Sequence, residues 1–276
     1  MTFKNNITLI TGASTGIGEE LAYRLADQGA YLVLTARREA ELERVATRAR
    51  ERGASAGAKV IVGSADVAIE ADCKKIIDAA VQTFGRIDTL VNNAGMTMWA
   101  KFADIQDVSM LARIMQVNYM GAVYCTHYAL PHLKASRGRI VGIASLTGLL
   151  GVPTRTGYAA SKHAMRGFFD SLRIELEDEG VSVTMIYPGF VATGIRENAT
   201  GADGKPALVD PVDKAGVMSV EECAAITLRA MTQRKREEVM TFKGKFGQWL
   251  KLIAPRVIDG IAKRAVAGNQ QYVERR

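Results

Sequence analysis

The chain has 276 residues, of which 48% are hydrophobic and 24% charged, an ordinary composition for one globular α/β domain or two small ones. Its longest apolar runs have the length of a strand and fall short of the ~20 residues that cross a bilayer. The chain enters a strand pattern at Ile7, which leaves no room for a signal peptide, so we expect a cytoplasmic protein. Three separated cysteines without a CxxC pair and three histidines without ligand spacing predict buried thiols and no metal.

The formal net charge of +7 belongs to the C-terminal part of the chain. Residues 234–276 hold 11 lysines and arginines against 4 aspartates and glutamates, so the first 233 residues are neutral. A basic tail can contact nucleic acid or an anionic membrane, but solvated charge is the favoured interpretation. Nucleic-acid binding is disfavoured because few stacking aromatic residues, beyond Trp249 and Tyr272, are interleaved with these charges.

Short β-branched apolar segments alternate with longer segments of helical periodicity. The predicted strands are Ile7–Thr11, Tyr31–Thr35, Val60–Gly63, Thr89–Asn92, Arg139–Ile143, Val181–Tyr187 and a weaker Glu238–Thr241. The predicted helices are Gly16–Gln28, Glu39–Glu51, Ile69–Phe84, Val108–Val117, Tyr119–Lys134, Tyr158–Glu179 and Val220–Arg234. Gly29, Gly53 and Gly180 follow helix ends, where we expect left-handed caps.

This alternation predicts a parallel sheet with right-handed crossovers and helices on both faces. We find no internal repeat and no linker between two cores. We therefore predict an α/β fold with a single doubly wound, Rossmann-type domain over residues 1–241 and a basic, amphipathic extension over residues 242–276. Ligands of such sheets lie at the carboxyl ends of the strands, near the point where the strand order reverses.

A glycine-rich turn, Thr11-Gly12-Ala13-Ser14-Thr15-Gly16-Ile17-Gly18, connects the first predicted strand with the first helix. Glycines let the backbone approach a pyrophosphate closely, and the helix N-terminus presents free N–H groups to its charge. An ordinary tight turn remains the alternative, because the spacing is G-x-x-x-G-x-G rather than the commoner G-x-G-x-x-G. The predicted dinucleotide contacts of this turn are Gly12, Ser14, Thr15, Gly16, Ile17 and Gly18.

The end of the second strand bears on which dinucleotide binds. A site that prefers NAD usually has an acidic side chain here, which accepts from the ribose 2′-hydroxyl. Ala36 has no such acceptor, whereas Arg37 and Arg38 can pair with a 2′-phosphate. We therefore expect NADP rather than NAD, the alternative being that both arginines are solvated charges.

Two further segments follow strands on the same edge. Asp66 and Val67 are placed to meet the adenine, and Asn93, Ala94 and Gly95 are placed beside the adenosine ribose. Each segment by itself is equally compatible with ordinary turn chemistry.

Four residues have the chemistry of proton transfer. Tyr158 and Lys162 are four residues apart in a predicted helix, so they share one face. The pKa of a free tyrosine, ~10, is too high for efficient proton exchange at neutral pH, and an ammonium one turn away lowers it. Ser145 follows a strand, where its hydroxyl can donate to a substrate oxygen, and the backbone at Asn118, between two predicted helices, suits an ordered water.

Together these motifs resemble the short-chain dehydrogenase/reductase family over roughly residues 5–240. The residues that carry the resemblance are Thr11-Gly12-x-x-x-Gly16-x-Gly18, Asn92-Asn93-Ala94-Gly95, Asn118, Ser145, Tyr158-x-x-x-Lys162 and Pro188-Gly189. The resemblance implies an oxidoreductase that moves a hydride between NADP(H) and a carbonyl or alcohol. A catalytically silent dinucleotide-binding protein is the competing class, and the complete set of four catalytic residues disfavours it.

The resemblance also implies a role for each residue. Tyr158 is the general acid in reduction, Lys162 lowers its pKa and binds the nicotinamide ribose, Ser145 polarises the carbonyl and Asn118 anchors a water that relays protons. The turn that passes the nicotinamide contributes Pro188, Gly189, Val191 and Thr193. A homodimer or homotetramer is implied through the helices that begin near residues 119 and 158.

Three segments are expected to line the substrate mouth, at residues 96–99, 146–153 and 190–213. Their predicted lining residues are Met96, Met98, Trp99, Leu146, Leu149, Leu150, Val152 and Phe190. An apolar wall favours a hydrophobic carbonyl substrate, although these side chains can instead pack against the lid. The segment Thr200–Asp213, with two glycines and two prolines, is expected to close over substrate as a mobile loop.

The last segment contains two amphipathic helical pieces, which Pro255 separates. Covering a subunit interface or the substrate mouth is the favoured use of such helices, and lying on an anionic membrane is the less favoured one. A similar tail occurs in hydroxysteroid-dehydrogenase-like reductases, which mildly favours lipophilic substrates.

Overall fold

The structure, a computed structural model, describes residues 3–195, 199–207 and 217–274. A parallel sheet forms its centre, with the strand order β3-β2-β1-β4-β5-β6-β7. These strands are β1 (Ile7–Thr11), β2 (Tyr31–Ala36), β3 (Lys59–Ser64), β4 (Thr89–Asn92), β5 (Arg139–Ile143), β6 (Ser182–Tyr187) and β7 (Glu237–Val239).

Helices cover both faces of the sheet. They are α1 (Gly16–Ala26), α2 (Glu39–Gly53), α3 (Glu70–Phe84), α4 (Ser109–Met115), α5 (Gly121–Ser136), α6 (Thr156–Glu175), α7 (Val220–Thr232), α8 (Phe242–Ile253) and α9 (Pro255–Glu274). Leu9 and Ile10 are neighbours in β1 but belong to two different apolar clusters, because successive strand residues point to opposite faces. One cluster packs the sheet against α3, α5 and α6, and the other packs it against α1, α2 and α7.

The predicted doubly wound α/β fold is confirmed. The predicted elements between residues 7 and 241 all occur, with ends that differ by a few residues. The expected left-handed caps occur at Gly29 and Gly180, with φ of 77° and 71°. The expectation for Gly53 is wrong: this residue has φ of −86° at the end of α2, and the left-handed residue is Gly57, after one further short turn.

Helices α4 and α5 are continuous rather than separate. They are joined by a π-helical turn, Gln116–Met120, in which the N–H of Gly121 donates to the carbonyl of Gln116 five residues earlier. Such single wide turns inside helices often occur at functional sites. Here the turn contains Asn118 and buries it completely.

The order of the strands places the reversal between β1 and β4. The carboxyl ends of these two strands are held together by Thr11, whose hydroxyl oxygen accepts from the backbone N–H groups of Asn93 and Ala94, each at 3.0 Å. The loops that follow β1 and β4 therefore diverge from a fixed point, and the crevice between them is where a ligand of this fold is expected.

The C-terminal extension packs on this same body of structure. The ammonium of Lys251 in α8 donates to the carbonyl of Leu149 at 2.9 Å, and α9 begins at Pro255, as the predicted division requires. The boundary at residues 241 and 242 remains a prediction. Within the described residues, no helix combines the length and the apolar character that crossing a membrane requires.

Candidate active site

A cavity of about 1290 Å³ follows the carboxyl ends of the strands. Most residues predicted for the dinucleotide line it, namely Gly12, Ser14, Thr15, Gly16, Ile17, Arg37, Arg38, Asp66, Val67, Asn93, Ala94, Gly95, Pro188, Gly189, Val191 and Thr193. Ser145, Tyr158 and Lys162 line its middle, together with Met96, Trp99, Leu146, Leu150, Val152 and Phe190 from the predicted substrate side. One cavity thus holds the candidate cofactor, catalytic and substrate residues.

The glycine turn after β1 forms a cradle. Gly12 and Gly16 have φ of +64° and +61°, a region that other residues rarely adopt, and a Cβ on Gly12 would lie 2.8 Å from the Cα of Ala94. The Asn93 amide holds the turn by donating to the carbonyls of Thr11 and Gly12 at 2.9 and 3.0 Å. Thr15 makes no side-chain capping bond at the start of α1, so the first-turn N–H groups suit an anion.

Gly18 is the one predicted dinucleotide contact of this turn that does not line the cavity. It is buried in α1, where a Cβ would lie 2.6 Å from both the Asn93 amide nitrogen and the Gly12 carbonyl oxygen. The expected contact between Gly18 and the dinucleotide is therefore corrected. This glycine lets α1 pack closely against the turn.

Arg37 and Arg38 directly follow Ala36, the last residue of β2, and all three residues line the cavity. Both side chains are exposed, and within the described residues no carboxylate forms an ion pair with either one. The nearby Asp66 carboxylate accepts from the N–H of Ala68 at 3.0 Å, which stabilises its own turn. This end of the cavity is therefore suited to an additional phosphate.

Tyr158 and Lys162 project from α6 towards Ser145 at the end of β5. The Tyr158 hydroxyl shares a hydrogen bond with Ser145, and the Lys162 ammonium lies 5.8 Å from the centre of the tyrosine ring. This ammonium is almost fully buried and donates to the carbonyl of Ile143 at 2.9 Å. Burial lowers the pKa of Lys162 to about 8.

Burial also raises the pKa of the Tyr158 hydroxyl above its ordinary value, because the phenolate form loses its solvation. The positive charge of Arg155 and the hydrogen bond with Ser145 oppose this rise. Arg155 is thus a cation that lowers this pKa in the structure, and the effect predicted for Lys162 remains a prediction. The phenol is thus held where its proton can be exchanged, beside two basic groups.

Asn118 does not line the cavity. Its side-chain oxygen accepts from the N–H of Met96 at 2.8 Å, and its side-chain nitrogen donates to the carbonyl of Met96 and the hydroxyl of Ser161, each at 2.9 Å. The side chain thus connects the segment after β4 to α6, next to Tyr158. A relay water at this position would depend on the backbone of the π-helical turn, as the sequence suggested.

Two residues predicted to line the substrate mouth are core residues instead. Met98 is fully buried and packs in a cluster with Met110 and Ile114 of α4. Leu149 is 2% exposed and belongs to the large cluster beneath α6. Apolar character did not separate these two from their neighbours, because packing and lining residues have the same composition.

The structure adds lining residues that the motifs did not indicate. Arg155 is buried in the cavity wall with its guanidinium stacked on Trp99, and Thr97 and Thr147 lie nearby. Arg155 directly precedes the first residue of α6, and no motif in the sequence marked it as a site residue. Helix α9 contributes Ile258, Ile261, Ala262, Ala265 and Val266 to the cavity lining, and a use of the extension in covering the substrate mouth remains a prediction.

The predicted lid at Thr200–Asp213 falls partly on residues 208–216, which lie outside the described residues. Its described part includes Ala202 and Ala207, which line the cavity.

All three cysteines are buried free thiols, as predicted. Among the described residues, no group of three or more potential ligands could hold a metal ion.

Comparisons with known proteins agree with this geometry. A family model described as short chain dehydrogenase matches residues 6–203. The 11-beta-hydroxysteroid dehydrogenase-like protein 4A of Arabidopsis thaliana is 40% identical over 261 residues, which cover 94% of this chain and 84% of that protein. The dehydrogenase/reductase SDR family protein 7-like of Dictyostelium discoideum is 35% identical over 269 residues, which cover 97% of this chain and 84% of that protein.

Two solved structures have the same fold. A short-chain dehydrogenase/reductase from Burkholderia phymatum in complex with NAD matches with a TM-score of 0.80 and 27% identity, over 93% of this chain and 96% of that chain. Levodione reductase matches with a TM-score of 0.74 and 28% identity, over 83% and 91%. The chain therefore belongs to the short-chain dehydrogenase/reductase family, and it is an oxidoreductase of that family that binds a nicotinamide dinucleotide.

Proposed function

We propose that this protein is an NADP-dependent carbonyl reductase or alcohol dehydrogenase of hydrophobic small molecules, with Tyr158 as the general acid and base. The observation that carries the proposal is the arrangement in one cavity of the Tyr158 hydroxyl, bonded to Ser145, with Lys162 on the next turn of the helix. A catalytically silent binding protein has no need of a buried ammonium beside a phenol.

The chain's own residues fit the cofactor. The cradle of Gly12 and Gly16 at the start of α1 would hold the pyrophosphate, and Arg37 and Arg38 the 2′-phosphate. Asp66 and Val67 would meet the adenine, Tyr158 and Lys162 the nicotinamide ribose, and the turn from Pro188 to Thr193 the carboxamide. When bound, the reduced cofactor supplies the hydride that the carbonyl carbon receives.

The side chains supply the rest of the reduction. Ser145 donates a hydrogen bond to the substrate oxygen and holds the carbonyl near Tyr158. The Tyr158 hydroxyl gives its proton to that oxygen, so the alcohol forms and a phenolate remains. The charge of Lys162 stabilises the phenolate, which is reprotonated from solvent by way of the π-helical turn at Asn118. In the oxidation of an alcohol the same groups act in reverse, with the phenolate as the base.

The preference for NADP rests on the residues at the end of β2. Ala36 cannot accept from a ribose hydroxyl, and the two exposed arginines that follow it are available to a phosphate. The related structure from Burkholderia phymatum contains NAD, so the preference is a property we infer for this chain from its own residues.

The substrate class is inferred from the lining. Met96, Trp99, Leu150 and Val152 form one side of the mouth, and the apolar face of α9 forms another. Such a wall favours a hydrophobic ketone, aldehyde or lipid-like alcohol. The names of the plant relatives, which refer to hydroxysteroids, agree with that class.

The decisive experiment compares wild type with Tyr158→Phe. Following NADPH oxidation with ketones and aldehydes of increasing size, we expect the wild type to turn over the apolar members. The Tyr158→Phe variant should lose at least about a hundredfold in kcat, because it lacks the proton donor. NADPH binding, measured by fluorescence, should stay nearly unchanged in the variant. Wild-type rates in Tyr158→Phe would contradict the mechanism.

We further propose a homodimer or homotetramer through α5 and α6. These helices and the π-helical turn before α5 contain the partly buried aromatic residues Tyr119, Tyr124, Tyr128 and Phe168. Light scattering coupled to size exclusion should give twice or four times the mass of 29.9 kDa. A monomer at micromolar concentration would contradict this assembly.

Contact of α8 and α9 with an anionic membrane is the less favoured alternative use of the extension, and the absence of vesicle flotation at low and high salt would exclude it.

A further inference from the structure

A second cation lies beside Tyr158. Arg155 is 5% exposed, although its side chain carries a permanent charge and lines the cavity. Burying a guanidinium is unfavourable unless hydrogen bonds and neighbouring groups compensate it. The neighbours of this charge inside the candidate active site therefore indicate what it acts on.

The guanidinium is held firmly in place. Its central carbon lies 3.2 Å from the centre of the Trp99 ring, a stacked arrangement that attracts the cation electrostatically. One of its nitrogens donates to the hydroxyl of Thr97. Both partners belong to the segment after β4, which is fixed in turn by the bond from the N–H of Trp99 to the carbonyl of Thr200 at 2.9 Å.

The backbone before Arg155 is strained in a way that serves this placement. Thr154 has φ of +66°, in the left-handed region that is strongly disfavoured for a β-branched residue. Such strain persists where the surrounding structure enforces it, and it is frequent at functional sites. The carbonyl of Thr154 accepts from the N–H of Ala100 at 3.1 Å, so the strained residue is tied to the same wall of the cavity as Arg155.

The distances identify the group on which the charge acts. The guanidinium carbon lies 5.6 Å from the centre of the Tyr158 ring, and the Lys162 ammonium lies 5.8 Å from it. The Tyr158 ring therefore has two cations at similar distances from its centre. The other charged groups that line the cavity are exposed or, for Asp66, partly exposed, so solvent screens them. They are Arg37, Arg38, Asp66, Lys101, Asp104, Arg113 and Lys243.

The two cations differ in one respect. Burial lowers the pKa of Lys162 to about 8, so this ammonium loses its charge at a lower pH than an ordinary lysine does. An arginine remains protonated throughout this range. Burial raises the pKa of Tyr158, and the charge of Arg155 opposes that rise.

We propose that Arg155, held on Trp99, is a positioning residue that stabilises the Tyr158 phenolate by its permanent charge and does so independently of the protonation of Lys162. This inference rests on the proposed role of Tyr158 as acid and base. It assigns to this chain a second electrostatic support for its phenol, beyond the lysine of the family motif.

The test measures the titration of Tyr158 itself. Tyrosine absorbance at ~295 nm is recorded against pH for wild type and Arg155→Met. Each protein is also measured with Tyr158→Phe added, and the difference between the two curves isolates Tyr158 among the eight tyrosines. We expect Arg155→Met to raise the pKa of Tyr158 by about one pH unit or more. Arg155→Lys, which keeps a charge, should restore most of the shift. If Arg155→Met does not fold, Arg155→Gln keeps a donor for Thr97 without the charge and should give the same upward shift.

Activity provides the second measurement. The rate of alcohol oxidation should rise with pH as phenolate forms, so removing the Arg155 charge should move this rise to higher pH while NADP binding stays within about twofold. The control is Arg166→Met, which removes a charge from the same helix two turns beyond Tyr158 and should leave the profile in place. An unchanged tyrosine titration in both neutral variants would overturn the inference. Turnover that survives Tyr158→Phe would instead overturn the proposed function, so the two failures are distinguishable.

Discussion

At the scale of single residues, Lys162 combines a useful charge with an unfavourable position. Its ammonium is 3% exposed and has a carbonyl acceptor from Ile143, but no carboxylate partner is recorded for it among the described residues. The pKa falls from its ordinary value of 10.5 to about 8 because the charged form loses its solvation. The folded protein therefore holds a buried charge at neutral pH, which lowers the free energy of unfolding.

This position predicts that Lys162→Met stabilises the protein while abolishing its activity. Below pH 8 the folded wild type has to keep the proton that burial disfavours. The free energy of unfolding of the cofactor-free variant should therefore exceed that of the wild type by ~1–3 kcal/mol at pH 7. Between about pH 8 and the ordinary lysine value the unfolded chain binds a proton that the folded one lacks. The free energy of unfolding of the wild type therefore rises with pH over this range, and the difference between variant and wild type should disappear.

Urea unfolding at several pH values measures this difference. The matched control is Lys74→Met, which removes an exposed lysine paired with Asp78 on α3 and should change the free energy of unfolding by less than about 0.5 kcal/mol. A Lys162→Met variant that is less stable at pH 7, or whose advantage does not depend on pH, would show that the ammonium is satisfied where it lies.

At the scale of elements, the sequence predicts the strands and helices well because each kind has its own apolar period. The buried strand at 139–143 is apolar at most positions and bounded by glycine, and the structure has it at the same residues. The glycine turn and the pair Tyr158 and Lys162 are predictable for a similar reason, because their chemistry fixes their spacing. Each of them lies at the end of a strand or the start of a helix.

What the sequence does not predict depends on long-range packing. Met98 and Met96 are two residues apart and chemically identical, yet one packs under α4 and the other lines the cavity. Gly53 has the left-handed cap chemistry, but the chain continues through one more turn before Gly57 takes that conformation. Arg155 could be found only when the cavity and Trp99 were known, because an isolated arginine at a helix start is usually a solvated charge.

For α9, the sequence predicts an amphipathic helix but does not predict which surface its apolar face contacts. Its apolar residues at 258, 261, 262, 265 and 266 follow a helical period and predict one apolar face, which the structure places on the cavity. Other apolar side chains of the extension remain exposed, among them Phe242, Trp249, Leu252 and Ile253. Sequence periodicity identifies a face but does not identify its partner.

The position of α9 predicts that its side chains limit the size of the substrate. Ala262→Phe should narrow the cavity and lower kcat/KM for a bulky apolar ketone by on the order of tenfold, while a small ketone changes by about twofold or less. Lys263→Phe adds the same ring at an exposed position of α9 that does not line the cavity, so it is the matched control. Equal effects of the two variants on both substrates would show that α9 does not border the bound substrate.

At the scale of the whole molecule, the net charge is unevenly distributed along the chain. The first 233 residues are neutral, and the basic excess lies in residues 234–276. The preference between two dinucleotides that differ by one phosphate therefore cannot come from the net charge. We therefore assign the proposed preference for NADP to Arg37 and Arg38, which line the cavity after β2.

This separation predicts a local and salt-dependent cofactor preference. Arg37→Asp should lower kcat/KM with NADPH and favour NADH, because the new carboxylate repels the 2′-phosphate and accepts from the ribose hydroxyl. Lys75→Asp, which makes the same charge change at an exposed position of α3 outside the cavity, should leave the ratio unchanged. Because both arginines are exposed, the advantage of NADPH in the wild type should shrink as the salt concentration rises from ~0.05 to ~0.5 M. An unchanged NADPH preference in Arg37→Asp, measured at both salt concentrations, would show that another group recognises the phosphate.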